Sequence, residues 1–99
     1  MKELKDFEIS EFGRPPKPGI YAIWVRNYFH KNSLSHLLYI GSTQNLHSRL
    51  NNLKHPYRIA FNRFNECVWV SFIETENELR NNEKYLIEKH QPIMNRQWL

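Results

Sequence analysis

Three short segments of this chain alternate with the period of a β-strand: Gly19 to Arg26, His36 to Gly41 and Cys67 to Ile73. In the first, Tyr21, Ile23 and Val25 fall on one side and Ile20, Ala22 and Trp24 on the other, so both faces need cover. Leu37 and Tyr39 alternate with Leu38 and Ile40, and Val68, Val70 and Phe72 with Cys67, Trp69, Ser71 and Ile73. A chain of 99 residues has room for one domain with one modest core. The polar connection Asn27 to Ser35 is short for a helical crossover, which favours antiparallel pairing.

Helical patterns fill the rest. A Ser42 or Thr43 hydroxyl can cap a helix starting near Gln44, with Leu46, Leu50 and Leu53 on one face and a stop before Pro56. Tyr57 to Phe64 reads as a short second helix. Thr75-Glu76-Asn77-Glu78 has the form of a capping box, in which hydroxyl and carboxylate each accept a free amide hydrogen. It opens a long helix running to about His90, and Pro92 ends it. Residues 1–17 form a polar arm ending in Arg14-Pro15-Pro16-Lys17, residues 18–95 the domain, and residues 96–99 a tail.

Composition narrows the function classes. The hydrophobic fraction is 40% and the aromatic fraction 14%, enough to fold despite a mean hydropathy of -0.71. A formal charge of +4 suits an anionic partner without requiring one. Cys67, the single cysteine, excludes an intramolecular disulfide and a thiolate zinc site. With no apolar run of spanning length and a mixed-charge start, the expectation is a soluble, intracellular, cytoplasmic protein that does not enter a membrane.

Two polar residues interrupt apolar helical stripes. At about 100 degrees per residue, Glu83 lies on the side of Leu79, Leu86, Ile87 and His90. Alone, it reads as a half-buried carboxylate paired with a cation, or as a ligand for a hard metal ion. Arg49 borders the stripe of Leu46 and Leu53, where a long side chain commonly snorkels to water, although its fork also suits a phosphate oxygen. Tyr21 and Tyr39 can meet across paired strands; singly, each is better explained by packing. Trp24 and Trp69 read as core.

Together these residues resemble the GIY-YIG nuclease family. Gly19-Ile20-Tyr21 and Tyr39-Ile40-Gly41 match its two naming motifs without substitution. Gly41-Ser42-Thr43-Gln44-Asn45-Leu46 followed by Arg49-Leu50 is similar to its capped helix with an essential arginine, and Glu83, Pro92 and Asn95 to its carboxy-terminal signature. The resemblance runs from about Pro18 to Asn95. It implies a stand-alone α+β domain with a small central three-stranded antiparallel sheet flanked by helices, and a phosphodiesterase that cuts DNA with one Mg2+ or Mn2+ ion.

Carried over, the resemblance makes Tyr21 the general base or proton relay. Because a free phenol titrates near pH 10, that role needs a neighbouring cation or metal. Tyr39 would orient water or phosphate, Arg49 would neutralise transition-state charge, and Glu83 would hold the metal. Asn95 would support the site by hydrogen bonding, and Gly41 would let the backbone turn closely into the helix. Many members place His or Tyr four residues after the arginine, where this chain has Leu53. His55 follows two residues later, which on a continuous helix turns it about 200 degrees away unless the helix end brings it back.

Lys54, Arg58 and Arg63, interleaved with Tyr57 and Phe61, form either a solvated face or a surface that tracks a nucleic-acid backbone. Arg14, Lys17, Arg26 and Lys31 would extend it. The leading expectation is a DNA endonuclease. A catalytically weak or silent nucleic-acid-binding module is the alternative, and a protein-interaction domain a third. Target choice would come from DNA shape, from a homo-oligomer or from a separate specificity partner, and repair, restriction, mobile-element spread and phage metabolism all fit.

Overall fold

The computed structural model describes residues 1–9, 14–26, 36–52, 55, 57–58 and 68–97. Readings that fall on Asn27 to Ser35, Leu53, Lys54, Arg63, Cys67 and most of the short helix after Tyr57 lie outside the described residues.

Four antiparallel strands form one sheet in the order β1-β4-β2-β3: β1 (Glu8–Ile9), β2 (Gly19–Val25), β3 (His36–Thr43) and β4 (Val68–Glu74). The expected three strands therefore gain a fourth, from the segment read as a polar arm. That segment is packed onto the domain. Leu4 and Phe7 join the apolar cluster beneath the long helix, the Lys2 amide donates to Asn82 Oδ1 (2.8 Å), and Glu3 pairs with Lys89 (2.7 Å).

Central β2 is apolar on both faces, as its alternation requires. Tyr21, Ile23 and Val25 pack on one side with Val70, Phe72, Leu46, Leu50 and Tyr57; Ile20, Ala22 and Trp24 pack on the other with Ile40 and Leu86. In β3 the expected alternation breaks. Ile23 is opposite Tyr39 but Trp24 is opposite Leu37, so Leu38 is an extra residue. This bulge shifts the phase: Leu38 and Tyr39 both join the first face, while Leu37 and Ile40 join the second. Trp24 and Trp69, read as core, are a half-buried stacked pair with ring centres 5.1 Å apart.

The helices are α1 (Leu46–Leu50), α2 (Leu79–His90) and α3 (Ile93–Gln97). Asn45, rather than Ser42 or Thr43, caps α1: its side chain accepts from the Ser48 amide at 3.0 Å, while the Thr43 hydroxyl closes a turn on Asn45. The first α1 amides, of Leu46 and His47, donate to the carbonyls of Lys17 and Pro15. The helix ends at Leu50, well before Pro56. The expected capping box does not form either: the Thr75 hydroxyl bonds Asn77, Glu78 is left-handed (φ 51°), and α2 begins at Leu79. Left-handed Gln91 and Pro92 end α2 after His90.

As the last strand of the sheet, β3 needs partners for its outer backbone groups. Asn95, on α3, supplies them at Ile40, with Oδ1 accepting from the amide and Nδ2 donating to the carbonyl, each at 2.8 Å. The middle residue of the second tyrosine motif is thereby pinned from outside the sheet.

Candidate active site

Tyr21 lies at the centre of the first sheet face, with no accessible surface. Gly41 is directly opposite on β3, and a Cβ there would come within 2.4 Å of the Tyr21 hydroxyl and 2.5 Å of its ring. Gly41 is thus needed to seat the phenol. This differs from the expected tight turn into α1, because Gly41 is inside a strand.

Tyr39 is diagonal to Tyr21, with ring centres 6.1 Å apart, and His55 lies 5.5 Å from both rings. The early end of α1 is what brings His55 here. The chain turns after Leu50, the His55 amide bonds the Asn52 carbonyl at 3.0 Å, and the imidazole folds inward to 3% exposure. A continuous helix would have carried it away; this one is too short to do so.

The His55 tautomer follows from its partners. Nδ1 accepts from the Tyr57 amide at 2.9 Å, so in the neutral ring the proton sits on Nε2, 2.5 Å from the Tyr21 oxygen. His55 is therefore a donor to Tyr21. Burial, aided by the positive charge of Arg49, lowers its pKa to about 4, which keeps the ring neutral at pH 7.

Exposed Arg49 also bonds the Tyr21 oxygen, and Tyr39 as well, which holds the guanidinium above its ordinary pKa. Two N–H groups thus converge on the phenol oxygen and favour its ionised form. Burial, with Tyr39 and Glu83 adding to it, outweighs Arg49, so the Tyr21 pKa rises above that of a free phenol. The cation that the base role requires is beside the phenol, but in the free protein it does not win.

Glu83 reaches the site from α2. Ser42 follows Gly41 in β3 and so faces the opposite side, where its hydroxyl donates to Glu83 Oε2 at 2.5 Å. Ser42, taken in the sequence as a cap, holds the carboxylate instead. Its position after the second tyrosine motif gave no signal, because a capping hydroxyl is expected there too. Among the described residues no three His, Cys, Asp or Glu side chains gather, so Glu83 has at most one such neighbour among them. That suits magnesium, which keeps several waters and takes one or two carboxylates plus phosphate oxygens.

Of the basic residues, Arg58 is half-buried, and its Nε has no hydrogen-bond partner. Lys17 pairs with Glu74 at 3.5 Å on the surface, and Arg26 is exposed.

A neutral buried histidine has a measurable consequence. With a pKa near 6.5 unfolded and about 4 folded, His55 costs nothing above the unfolded value. As pH falls from about 6.5 towards about 4, the unfolded chain takes the proton first, removing as much as about 3 kcal/mol of stability. Urea unfolding at stepped pH is expected to show this slope in the wild type and a shallower one in His55→Gln; equal slopes would reject a neutral, buried His55.

The family described as the GIY-YIG catalytic domain matches residues 17–97. UvrABC system protein C of Mycoplasmoides gallisepticum is 36% identical to the chain over 85 residues, covering 82% of this chain and 13% of that protein. The chain thus spans a small part of that relative's length, and no solved structure matches it. No helix among the described residues is long and apolar enough to cross a membrane. With both tyrosine motifs on adjacent strands of the sheet and the family match extending over most of its length, the chain belongs to the GIY-YIG family of endonucleases.

Proposed function

We propose that this domain hydrolyses phosphodiester bonds in DNA inside the cell, with one divalent ion held by Glu83. The observation that carries the reading is the convergence of His55 Nε2 and Arg49 on the oxygen of Tyr21, beside Tyr39. His55 and Arg49 lower the cost of the phenolate that would take the proton of an attacking water, against the burial that raises it. The water oxygen bonds phosphorus, the phosphorus–oxygen bond to the leaving strand breaks, and Tyr21 holds the water's proton. Tyr39 orients the water or a phosphate oxygen through its hydroxyl. Arg49, exposed and forked, moves its donors onto the phosphate as charge builds there. Magnesium or manganese, when bound, supplies positive charge to the leaving oxygen.

Lys54, Arg58 and Arg63, which follow α1 in the sequence, would bring positive charge to flanking phosphates. A second reading, a binding module with little catalysis, is favoured by the complete burial of Tyr21 and its raised pKa.

The test is a cleavage and binding panel of duplex, single-stranded, flap and branched DNA with Mg2+, with Mn2+ and with chelator. Cutting with metal alone supports the nuclease reading. Salt-sensitive binding with no cutting under either ion rejects it in favour of the second. The same panel reports whether DNA shape sets the target.

A further inference from the structure

We propose that Arg14, upstream of the segment that matches the family, is a positioning residue for Tyr21 that acts through Tyr57 and His55. The inference rests on the nuclease reading for its kinetic part only. The carbonyls of Pro15 and Lys17 accept from the first amides of α1, which fixes the path of the arm across the start of that helix. The same path delivers Arg14 to Tyr57. Its Nη2 donates to the Tyr57 hydroxyl, and its guanidinium carbon lies 4.5 Å from the centre of the Tyr57 ring.

Tyr57 is buried in the core cluster that contains Tyr21, and its amide is the donor that occupies His55 Nδ1. Holding the Tyr57 side chain therefore holds the turn from His55 to Arg58, which is closed by the Arg58 amide on the His55 carbonyl at 2.9 Å. With Nδ1 occupied, the imidazole proton is kept on Nε2, facing Tyr21. If the turn loosens, Nδ1 loses its donor, the other tautomer becomes available, and the Tyr21 oxygen loses one of its two N–H partners. The hydrogen bond of Arg14 goes to Tyr57, whereas the Tyr21 oxygen is reached by His55. Its effect is carried by which nitrogen of His55 holds the proton.

The experiment uses the full chain labelled with 15N-histidine, in wild-type, Arg14→Ala, Arg14→Lys and Tyr57→Phe forms. Ring-nitrogen NMR at pH 7 reads the His55 tautomer, and cleavage with Mg2+ of the best DNA of the panel gives kcat and KM. The wild type is expected to carry the proton on Nε2 alone. Arg14→Ala and Tyr57→Phe are expected to move part of the population to Nδ1–H and to lower kcat about 10- to 100-fold, with KM changed less than about threefold. Arg14→Lys keeps a cation over the ring and is expected to fall between. If Arg14→Ala does not fold, Tyr57→Phe, which retains the ring and removes only the hydroxyl, carries the test. A wild-type His55 protonated on Nδ1, or folded variants with an unchanged tautomer, would overturn the proposal and leave the nuclease reading intact. A wild type that does not cut, but whose His55 responds as stated, supports the coupling and rejects the nuclease reading.

Discussion

Replacing Tyr21 by phenylalanine is expected to lower DNA cleavage about 100- to 10,000-fold, the range lost with a positioned proton acceptor. The ring would still fill its place against Gly41, so the sheet should keep its register. Removing the oxygen leaves the buried Nε2–H of His55 without its acceptor, which costs roughly 1–3 kcal/mol. Thermal melting therefore accompanies the kinetics, and activity is compared where the variant is folded. The pH profile separates a base from a packing residue. Because burial keeps the phenol protonated well above neutrality, the ionised fraction, and with it the wild-type rate, is expected to rise about tenfold per pH unit between pH 6 and 9. Tyr21→Phe is expected to flatten that rise. Equal slopes in the two proteins would remove Tyr21 from the base role.

Glu83→Ala is expected to lower metal-dependent cutting about 100- to 1,000-fold and to abolish saturable binding of Mn2+ to the free protein. The prediction is sharp because Glu83 is held at the edge strand by the Ser42 hydroxyl, and among the described residues no group of three metal-ligating side chains gathers that could bind the ion without it. Ser42 would lose its acceptor, but it is only half-buried and can turn to water, so the stability change should stay within about 1 kcal/mol. DNA binding in the presence of chelator should survive the change, since Arg49 and Arg58 remain. Undiminished cutting by a folded Glu83→Ala protein would reject it as the metal ligand.

The two predictions draw on different parts of the fold. In the proposed reaction Tyr21 would act through groups that approach one face of β2, namely His55 and Arg49 from α1 and the turn beyond it. Glu83 comes from α2 on the other face and meets the edge strand at Ser42. Its charge still reaches the phenol and raises its pKa. A dianionic combination of phenolate and carboxylate is therefore disfavoured in the free protein. A bound cation would relieve it, which ties formation of the base to arrival of the metal.

Much of this was legible in the residues. The alternation of β2 gave both covered faces, Leu46 and Leu50 marked the buried side of α1, and the end of α2 at His90 followed from Pro92. The failures have physical causes. The β3 pattern missed its bulge because an extra residue changes phase without leaving any compositional mark, and Leu37 and Leu38 are equally apolar. The capping residues were misplaced because several hydroxyls and amides stand near each helix start, and backbone geometry selects among them. Asn82, which borders the expected stripe, is buried, and its amide joins Lys2 to the Glu78 carbonyl.

The sequence by itself determined the family and the three main strands and put forward Tyr21, Tyr39, Arg49 and Glu83 as site candidates, because motifs and periodicity are local properties of the chain. Tertiary structure decided how His55 enters the site. A helix that stops at Leu50 turns the imidazole inward, and the Tyr57 amide sets its proton towards Tyr21. It also decided that Asn95 would seal the edge strand and that the amino-terminal segment would be part of the domain. Each of these depends on groups brought together from distant positions, and no local pattern records which distant partner will satisfy a buried donor.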